Sequence, residues 1–124
     1  MTSPTSQEEP EQLTVVVDEP RPGVLVAQLT GWLDLATAPD AEVRLQELLL
    51  DTHAPRLIVL DLSCTEFLGS AGVAVLLRLR RRALARGCGS PCLVGLTGCA
   101  WRTLHGLGLL EMFSTAYDVP AAMS

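Results

Sequence analysis

The sequence lacks several features that would point to a membrane or to nucleic acid. No apolar run approaches the roughly eighteen residues that a membrane-spanning helix needs. Residues 1–12 are polar, acidic and proline-containing, unlike a secretory signal. Lysine is absent, and the net charge is −5, whereas nucleic-acid-binding proteins normally present a basic face. We therefore expect a cytoplasmic protein that binds neither membrane nor nucleic acid.

Common catalytic motifs are missing as well. There is no Walker-type Gly-x4-Gly-Lys and no Gly-x-Gly-x-x-Gly, and His53 and His105 have no evident base or nucleophile arrangement around them. A nucleophile elbow requires Gly-x-Ser-x-Gly, but around Ser70 the first glycine comes one residue too late. We expect no enzymatic activity, and a nucleotide-binding α/β enzyme is the competing class because parallel sheets often bind phosphates at their strand ends.

The four cysteines do not indicate a metal site. Two disulfides are conceivable, but the rest of the chain has the patterning of a core that needs no cross-links. If Cys88, Cys92 and Cys99 are considered together with His105 as zinc ligands, the spacings between these residues match no zinc-binding pattern. We expect the thiols of all four cysteines to be free, namely those of Cys64, Cys88, Cys92 and Cys99. We also expect that the protein binds no metal and no cofactor.

What is present is the material for one folded domain. Hydrophobic residues make up 48% of the 124 residues, enough for one core and too few residues for two domains. Residues 1–11 show no apolar periodicity, which predicts a disordered N-terminal segment. The single domain is expected over residues 12–124.

The hydrophobic pattern alternates between strands and helices. Two β-rich runs separated by a Pro- and Gly-containing loop predict an antiparallel pair at the start, and from there strands alternate with amphipathic helices. Right-handed crossovers then make an α/β fold with a mainly parallel central sheet. The predicted elements are strands at 13–17, 24–29, 57–62, 92–96 and 112–117, and helices that start near 37, 70 and 97.

The most informative segment is the turn Gly69-Ser70-Ala71-Gly72 between a buried strand and a helix. Ser70 is expected as the N-cap of a helix that begins at Ala71, where its hydroxyl would accept a first-turn N–H. An anion at this position would meet unpaired N–H groups and the positive end of the helix dipole. Ser63 and Thr65 carry the alternative hydroxyls to that of Ser70, but neither residue is at the start of a helix.

Three stretches of the chain resemble the STAS family, and within it the bacterial anti-sigma factor antagonists. They are residues 29–39 (LTGWLDLATAP), 59–72 (VLDLSCTEFLGSAG) and 93–98 (LVGLTG), within a likeness over about 13–117. The resemblance implies a STAS-like domain that binds an anti-sigma factor with a serine kinase fold when it is unphosphorylated. Phosphorylation on the turn would break that complex, and a serine phosphatase would restore it.

The turn departs from the family pattern, which commonly reads Asp-Ser-Ser-Gly with the second hydroxyl as the phosphoacceptor. Here Gly69 replaces the acid and Ala71 replaces the usual acceptor. Two alternatives stay open: the phosphate goes to Ser70, or the protein is a non-switching scaffold in a signalling complex. Trp32 also stands where the family usually has a polar residue.

We expect the Asp34 and Ser70 ends of the domain to form one partner-binding surface. Both residues follow core strands that should be neighbours, and loops at the carboxyl ends of parallel strands gather on one side of a sheet. Asp34 is either a partner contact or a carboxylate that binds its own turn. Trp32 is either an interface anchor or a lid over the end of the sheet. Val73 belongs to a second apolar stripe on the helix, which either faces a partner or lies under a neighbouring helix. The expected contact residues are Trp32, Asp34, Gly69, Ser70, Ala71, Gly72 and Val73.

Overall fold

The computed structural model describes residues 12–50 and 54–124. The expected disordered segment 1–11 and His53 lie outside the described residues. Two long strands open the fold, β1 (Leu13–Arg21) and β2 (Val24–Leu33), and they pair antiparallel as predicted. Gly23, in the connection between them, has a φ of +83°, a conformation that glycine adopts without strain.

The rest of the chain alternates helices with parallel strands. The elements after β2 are α1 (Ala38–Gln46), β3 (Leu57–Asp61), β4 (Thr65–Leu68), α2 (Ser70–Ala85), β5 (Cys92–Val94), α3 (Gly98–Gly106), β6 (Ser114–Ala116) and α4 (Val119–Met123), with short 3-10 turns at Glu47–Leu49 and Leu110–Met112. The sheet order is β1-β2-β3-β5-β6, with β4 also paired to β2, and every described pairing except β1 with β2 is parallel. This is the predicted α/β fold.

The core lies on both faces of the sheet. Ile58 and Leu60 of β3 join the larger cluster, which includes side chains of α1, α2 and α3, while Val59 joins a smaller cluster against which α4 packs. The near-continuous apolar run of β3 is therefore buried on both sides, as expected of a central parallel strand. Helical spacing of the apolar residues predicts one inward stripe on each of the first two helices, and both stripes are buried. They consist of Ala41, Leu45, Leu48 and Leu49 after β2, and of Gly72, Val75, Leu76, Leu79 and Ala83 on α2.

The strand β4 is absent from the sequence prediction, which has a polar connection there. The strand β2 pairs with β3 only as far as Gln28, so its last residues would otherwise have an open edge. Thr65–Leu68 pairs with that edge, and the Thr65 hydroxyl donates a hydrogen bond to the Leu29 carbonyl oxygen at 2.7 Å. A four-residue strand with a central glutamate has too little alternation to be recognised from sequence.

One packing prediction is wrong. The spacing of Trp101 and Leu104, three residues apart on a helix, predicts that Trp101 packs in the core. Its side chain is instead 42% exposed and stacks on the His105 ring, with the centroids 4.4 Å apart. The buried stripe of α3 instead runs through Ala100 and Leu104, which are four residues apart. Trp101 lies at the border of that stripe, because adjacent helical positions are separated by about 100°.

All four cysteine thiols are free, as predicted. Cys64 is exposed, Cys99 is partly exposed, and Cys88 and Cys92 are buried. Burial raises the pKa of the Cys92 thiol. In the described part of the chain, no group of three or more His, Cys, Asp or Glu side chains could hold a metal ion, and no helix there is long and apolar enough to cross a membrane.

Candidate functional site

The turn between β4 and α2 differs by one residue from the prediction. Gly69 is the N-cap, since its carbonyl oxygen accepts the Val73 N–H at 3.0 Å, and α2 begins at Ser70 rather than Ala71. The Gly69 N–H donates to the Leu33 carbonyl oxygen at 3.0 Å, so pairing with β2 determines where the strand ends. No side chain of residues 12–50 or 54–124 caps α2. Ser70 is therefore not a cap, and its hydroxyl is exposed and makes no hydrogen bond to any described residue.

Two glycines of this turn permit close packing against the end of β2. A Cβ atom on Gly72 would lie 2.5 Å from Leu33 Cγ and 2.8 Å from the Leu33 carbonyl oxygen. A Cβ atom on Gly69 would lie 2.9 Å from a ring carbon of Phe67. Separations under 3 Å are far inside normal van der Waals contact. The absence of a side chain on Gly72 therefore lets α2 begin directly against β2, and its absence on Gly69 leaves room for the Phe67 ring.

Asp34 holds together the turn that leads from β2 into α1. Its carboxylate accepts the Ala36 and Thr37 N–H groups at 3.0 and 3.1 Å. A threonine followed by a proline and an acid, as at Thr37, is typical of a helix start and predicts that the Thr37 hydroxyl caps α1. The hydroxyl instead donates to the Trp32 carbonyl oxygen at 2.7 Å and does not cap the helix. Of the two readings of Asp34, the carboxylate that binds its own turn is the one that the contacts support.

Trp32 is the largest side chain at this end of the sheet. It lies opposite Phe67 in the β2–β4 register, and the two rings stack with their centroids 5.0 Å apart and their planes 24° apart. Both residues are partly exposed. Sequence reasoning missed Phe67, because without β4 there was no reason to place it beside Trp32.

The residues around Ser70 divide into surface and core. Ala71 is partly exposed, whereas Gly72 is buried and Val73 is only 4% exposed within the main core. This burial corrects the expectation that the Val73 side chain contacts a partner. Leu35, which the sequence analysis did not single out, is 82% exposed. Its position directly after Asp34, where a loop residue is usually polar, is the signal that could have identified it.

Ser70 lies at the start of α2, between two surface grooves. The α2–α3 groove has a volume of 460 Å³, and Ser70 itself is in its wall. The α1–α2 groove has a volume of 410 Å³ and reaches from Leu35 to Ala71. The first is lined by Phe67, Leu68, Gly69, Ser70, Arg102, Thr103, Gly106 and Leu107, and the second by Leu35, Ala38, Pro39, Glu42, Ala71, Ala74 and Arg78.

Charge is present around the turn but not in it. In the α1–α2 groove, the Arg78 guanidinium binds the Glu42 carboxylate with two nitrogens, at 2.6 and 2.8 Å. Hydrogen bonding to Arg78 lowers the pKa of Glu42. In the α2–α3 groove, Arg102 is exposed and forms no ion pair with any described residue. The four turn residues themselves are uncharged.

A third cavity, of 490 Å³, lies at the carboxyl ends of β5 and β6 and does not include Ser70. Its walls are largely apolar or hydroxyl-bearing, with Trp101 and Tyr117 among them. Its single carboxylate belongs to Asp118, which accepts the Ala121 N–H at 3.0 Å and so caps α4. The cavity therefore has no nucleophile and base pair of the kind that the competing enzyme hypothesis would need.

The topology and the turn agree with the outcome of the family comparison. The family model "STAS domain" matches residues 16–122. The chain belongs to the STAS domain family. The sequence resemblance is therefore confirmed, and so is the STAS-like fold.

Individual relatives of this STAS domain carry more specific names. It is 33% identical over 115 residues to the anti-sigma-F factor antagonist RsfB of Mycobacterium tuberculosis, covering 88% of each chain. It is 30% identical, with a TM-score of 0.80, to the crystal structure of an anti-sigma factor antagonist from Mycobacterium paratuberculosis, covering 92% of this chain and 93% of the other. The family of these anti-sigma factor antagonists is regulatory and not enzymatic, which agrees with the expectation from sequence.

More distant structures share the fold. The anti-sigma factor antagonist SpoIIAA in its unphosphorylated form has a TM-score of 0.69 and 19% identity, covering 85% of this chain and 90% of the other. At that identity the likeness establishes the architecture alone.

Proposed function

We propose that this STAS domain is an anti-sigma factor antagonist that acts in the cytoplasm by binding an anti-sigma factor with a serine kinase fold. Its similarity to RsfB over most of both chains supports this function. The exposed Ser70 hydroxyl is the observation that supports the proposed location of the binding surface. This hydroxyl lies at the start of α2, in a turn that hydrogen-bonds to the end of β2.

The chemistry of this surface suits a protein partner. Trp32, Leu35 and Leu107 expose apolar area around a turn made of small, uncharged residues. A partner that covers them removes apolar surface from water, and the small turn residues allow its backbone to approach closely. Asp34 contributes by holding the β2–α1 turn in place, and its remaining carboxylate capacity is available to a partner donor.

The binding is proposed to be switched at Ser70. The kinase-fold partner transfers the γ-phosphoryl group of ATP to the Ser70 oxygen, which loses its proton, and ADP leaves. The product carries about −1.5 to −2 additional charges in the middle of the contact surface. A docked partner would have to desolvate that charge, so the complex separates, and a serine phosphatase returns the free hydroxyl.

Two departures in the turn favour a second candidate function. Ala71 occupies the position of the usual acceptor, and Gly69 supplies no acid. A non-switching scaffold, which binds its partners through the same surface without being phosphorylated, would account for both.

The two functions are separated by one experiment with the full chain. The protein is incubated with candidate kinase-fold anti-sigma factors, with and without ATP, and complex formation and phosphate position are measured by calorimetry and mass spectrometry. The proposal expects binding without ATP and a phosphate on Ser70 with ATP. Binding that persists with ATP and leaves Ser70 unmodified supports the scaffold. An absence of binding to any of these partners contradicts the anti-sigma assignment.

A further inference from the structure

Ser70 and Arg102 belong to different helices but line the same α2–α3 groove. Ser70 is the first residue of α2, and Arg102 lies in the middle of α3. Both side chains are exposed. A group attached to the Ser70 oxygen would therefore lie at the wall of a groove that Arg102 also lines.

The position of α3 relative to the turn is held by a specific contact. The hydroxyl of Thr103, the residue after Arg102, donates a hydrogen bond of 3.0 Å to the carbonyl oxygen of Leu68. Leu68 is separated from Ser70 only by Gly69. Arg102 is thus the neighbour in the chain of the residue whose hydroxyl holds α3 against the end of β4.

Arg102 is also free to bind an anion, unlike several other arginines. Arg78 is paired with Glu42, Arg80 donates to the Met112 carbonyl oxygen, and Arg44 donates to the Val15 carbonyl oxygen. Arg102 makes no hydrogen bond or ion pair to any described residue, and the turn from Gly69 to Gly72 offers it no carboxylate.

We propose that Arg102 is the intramolecular receptor for the phosphate on Ser70, an inference that rests on the proposed phosphorylation of that serine. An arginine fork matches the oxygens of a phosphate monoester and binds them through charge-assisted hydrogen bonds. The Arg102 guanidinium and the phosphate on Ser70 form an ion pair across the α2–α3 groove, and this ion pair holds the phosphate against the domain. Regulation then involves two elements: the phosphate excludes the partner from the turn, and Arg102 occupies the neighbouring groove.

The test uses the full chain with phosphoserine placed at position 70 by genetic-code expansion, which requires neither a kinase nor a partner. The second pKa of the phosphate, about 6 for phosphoserine, is followed by phosphorus NMR in the parent, Arg102→Gln, Arg102→Lys and Arg81→Gln chains. Arg81 is an exposed residue near the other end of α2, so its variant controls for the loss of one positive charge. The helix start acts on the phosphate in every chain, so the difference between variants isolates Arg102.

The parent is expected to titrate about half a pH unit below Arg102→Gln, a roughly threefold difference in the acid dissociation constant, because a nearby cation favours the dianion. Arg81→Gln should match the parent, and Arg102→Lys should lie between the two, since it keeps the charge without the fork. Equal titration of the parent and Arg102→Gln would overturn the proposal, as would an equal shift in Arg81→Gln. The circular dichroism of each chain confirms folding, and Arg102→Lys keeps the test valid if Arg102→Gln does not fold. Failure of the proposed function would appear separately, as missing phosphoryl transfer or missing partner binding.

Discussion

The Trp32 ring stacks on Phe67 at a centroid distance of 5.0 Å, and this pair forms the aromatic part of the carboxyl end of β2 and β4. The stack leaves both residues partly exposed. Trp32 therefore has a structural contact on one side and a free surface on the other, which makes the two readings of this residue compatible.

Substituting Trp32→Ala is expected to weaken binding to the anti-sigma factor by about tenfold or more, as for a central tryptophan of an interface. The free energy of unfolding should fall by only about 1 to 2 kcal/mol, because the ring is partly exposed and loses one stacking partner. Calorimetric titration and urea unfolding measure the two quantities. Trp101→Ala removes a tryptophan of another surface and should leave the affinity unchanged. Unchanged affinity in Trp32→Ala would show that this residue is purely structural.

Substituting Ser70 tests the switch without a large effect on folding. Ser70→Ala should bind the partner constitutively and keep its stability within about 0.5 kcal/mol, because the hydroxyl makes no hydrogen bond to the part of the chain that the structure describes. Ser70→Asp should abolish binding yet gain about 0.3 to 1 kcal/mol from the helix dipole.

Ser114→Asp is the control for the Ser70 variants, since it adds the same charge at the amino end of β6. It is expected to bind like the parent. If Ser70→Asp binds equally well, the non-switching scaffold becomes the better account of Ala71 and Gly69.

Gly72 should tolerate no side chain. Gly72→Ala places a methyl group 2.5 Å from Leu33 Cγ and 2.8 Å from the Leu33 carbonyl oxygen, so we expect a loss of about 1 to 3 kcal/mol in the free energy of unfolding. Gly106→Ala, with no atom within 4 Å of its added Cβ, should instead be neutral or up to about 1 kcal/mol more stable. Equal stability of both variants in urea unfolding would contradict the close approach of α2 to β2.

The Glu42–Arg78 pair makes stability depend on pH in the acidic range. The pKa of Glu42 is lowered in the folded state, from an ordinary value of 4.5, chiefly by hydrogen bonding to Arg78. The contribution of the pair is therefore present above pH 4.5 and is lost as the pH falls through the lower folded value. Glu42→Gln should be less stable than the parent near neutral pH, and the two should converge in acid. A difference in the free energy of unfolding that does not change with pH would exclude this carboxylate as the cause.

The four thiols should react in the order of their exposure. In the native protein Cys64 is expected to react first with a thiol reagent and Cys99 next, while Cys88 and Cys92 react only after unfolding. The raised pKa of Cys92 adds to its protection, since the thiolate is the reactive form. All four should react in denatured, unreduced protein, and a lower count there would disprove the prediction of free thiols.

The turn residues show where sequence reasoning about caps reaches its limit. Thr37, Ser70 and Thr97 all have the residue type and position of helix caps, yet none of their side chains caps a helix. The Thr37 hydroxyl is taken by the Trp32 carbonyl oxygen. Ser70 is displaced by one position because the Gly69 N–H pairs with β2. Both of these outcomes depend on a carbonyl oxygen at the end of β2.

The sequence by itself determined the order of five of the six strands and of the first three helices, the buried stripes of the first two helices and the membership in the STAS family. These depend on local periodicity and on short motifs. Only the tertiary structure decided the existence of β4, the stacking of Trp32 on Phe67, the burial of Val73 and the shared groove of Ser70 and Arg102. Those features come from contacts between segments that are distant in the chain. Local sequence patterns do not show which open strand edge a short segment pairs with. They also do not show which side chain faces that segment.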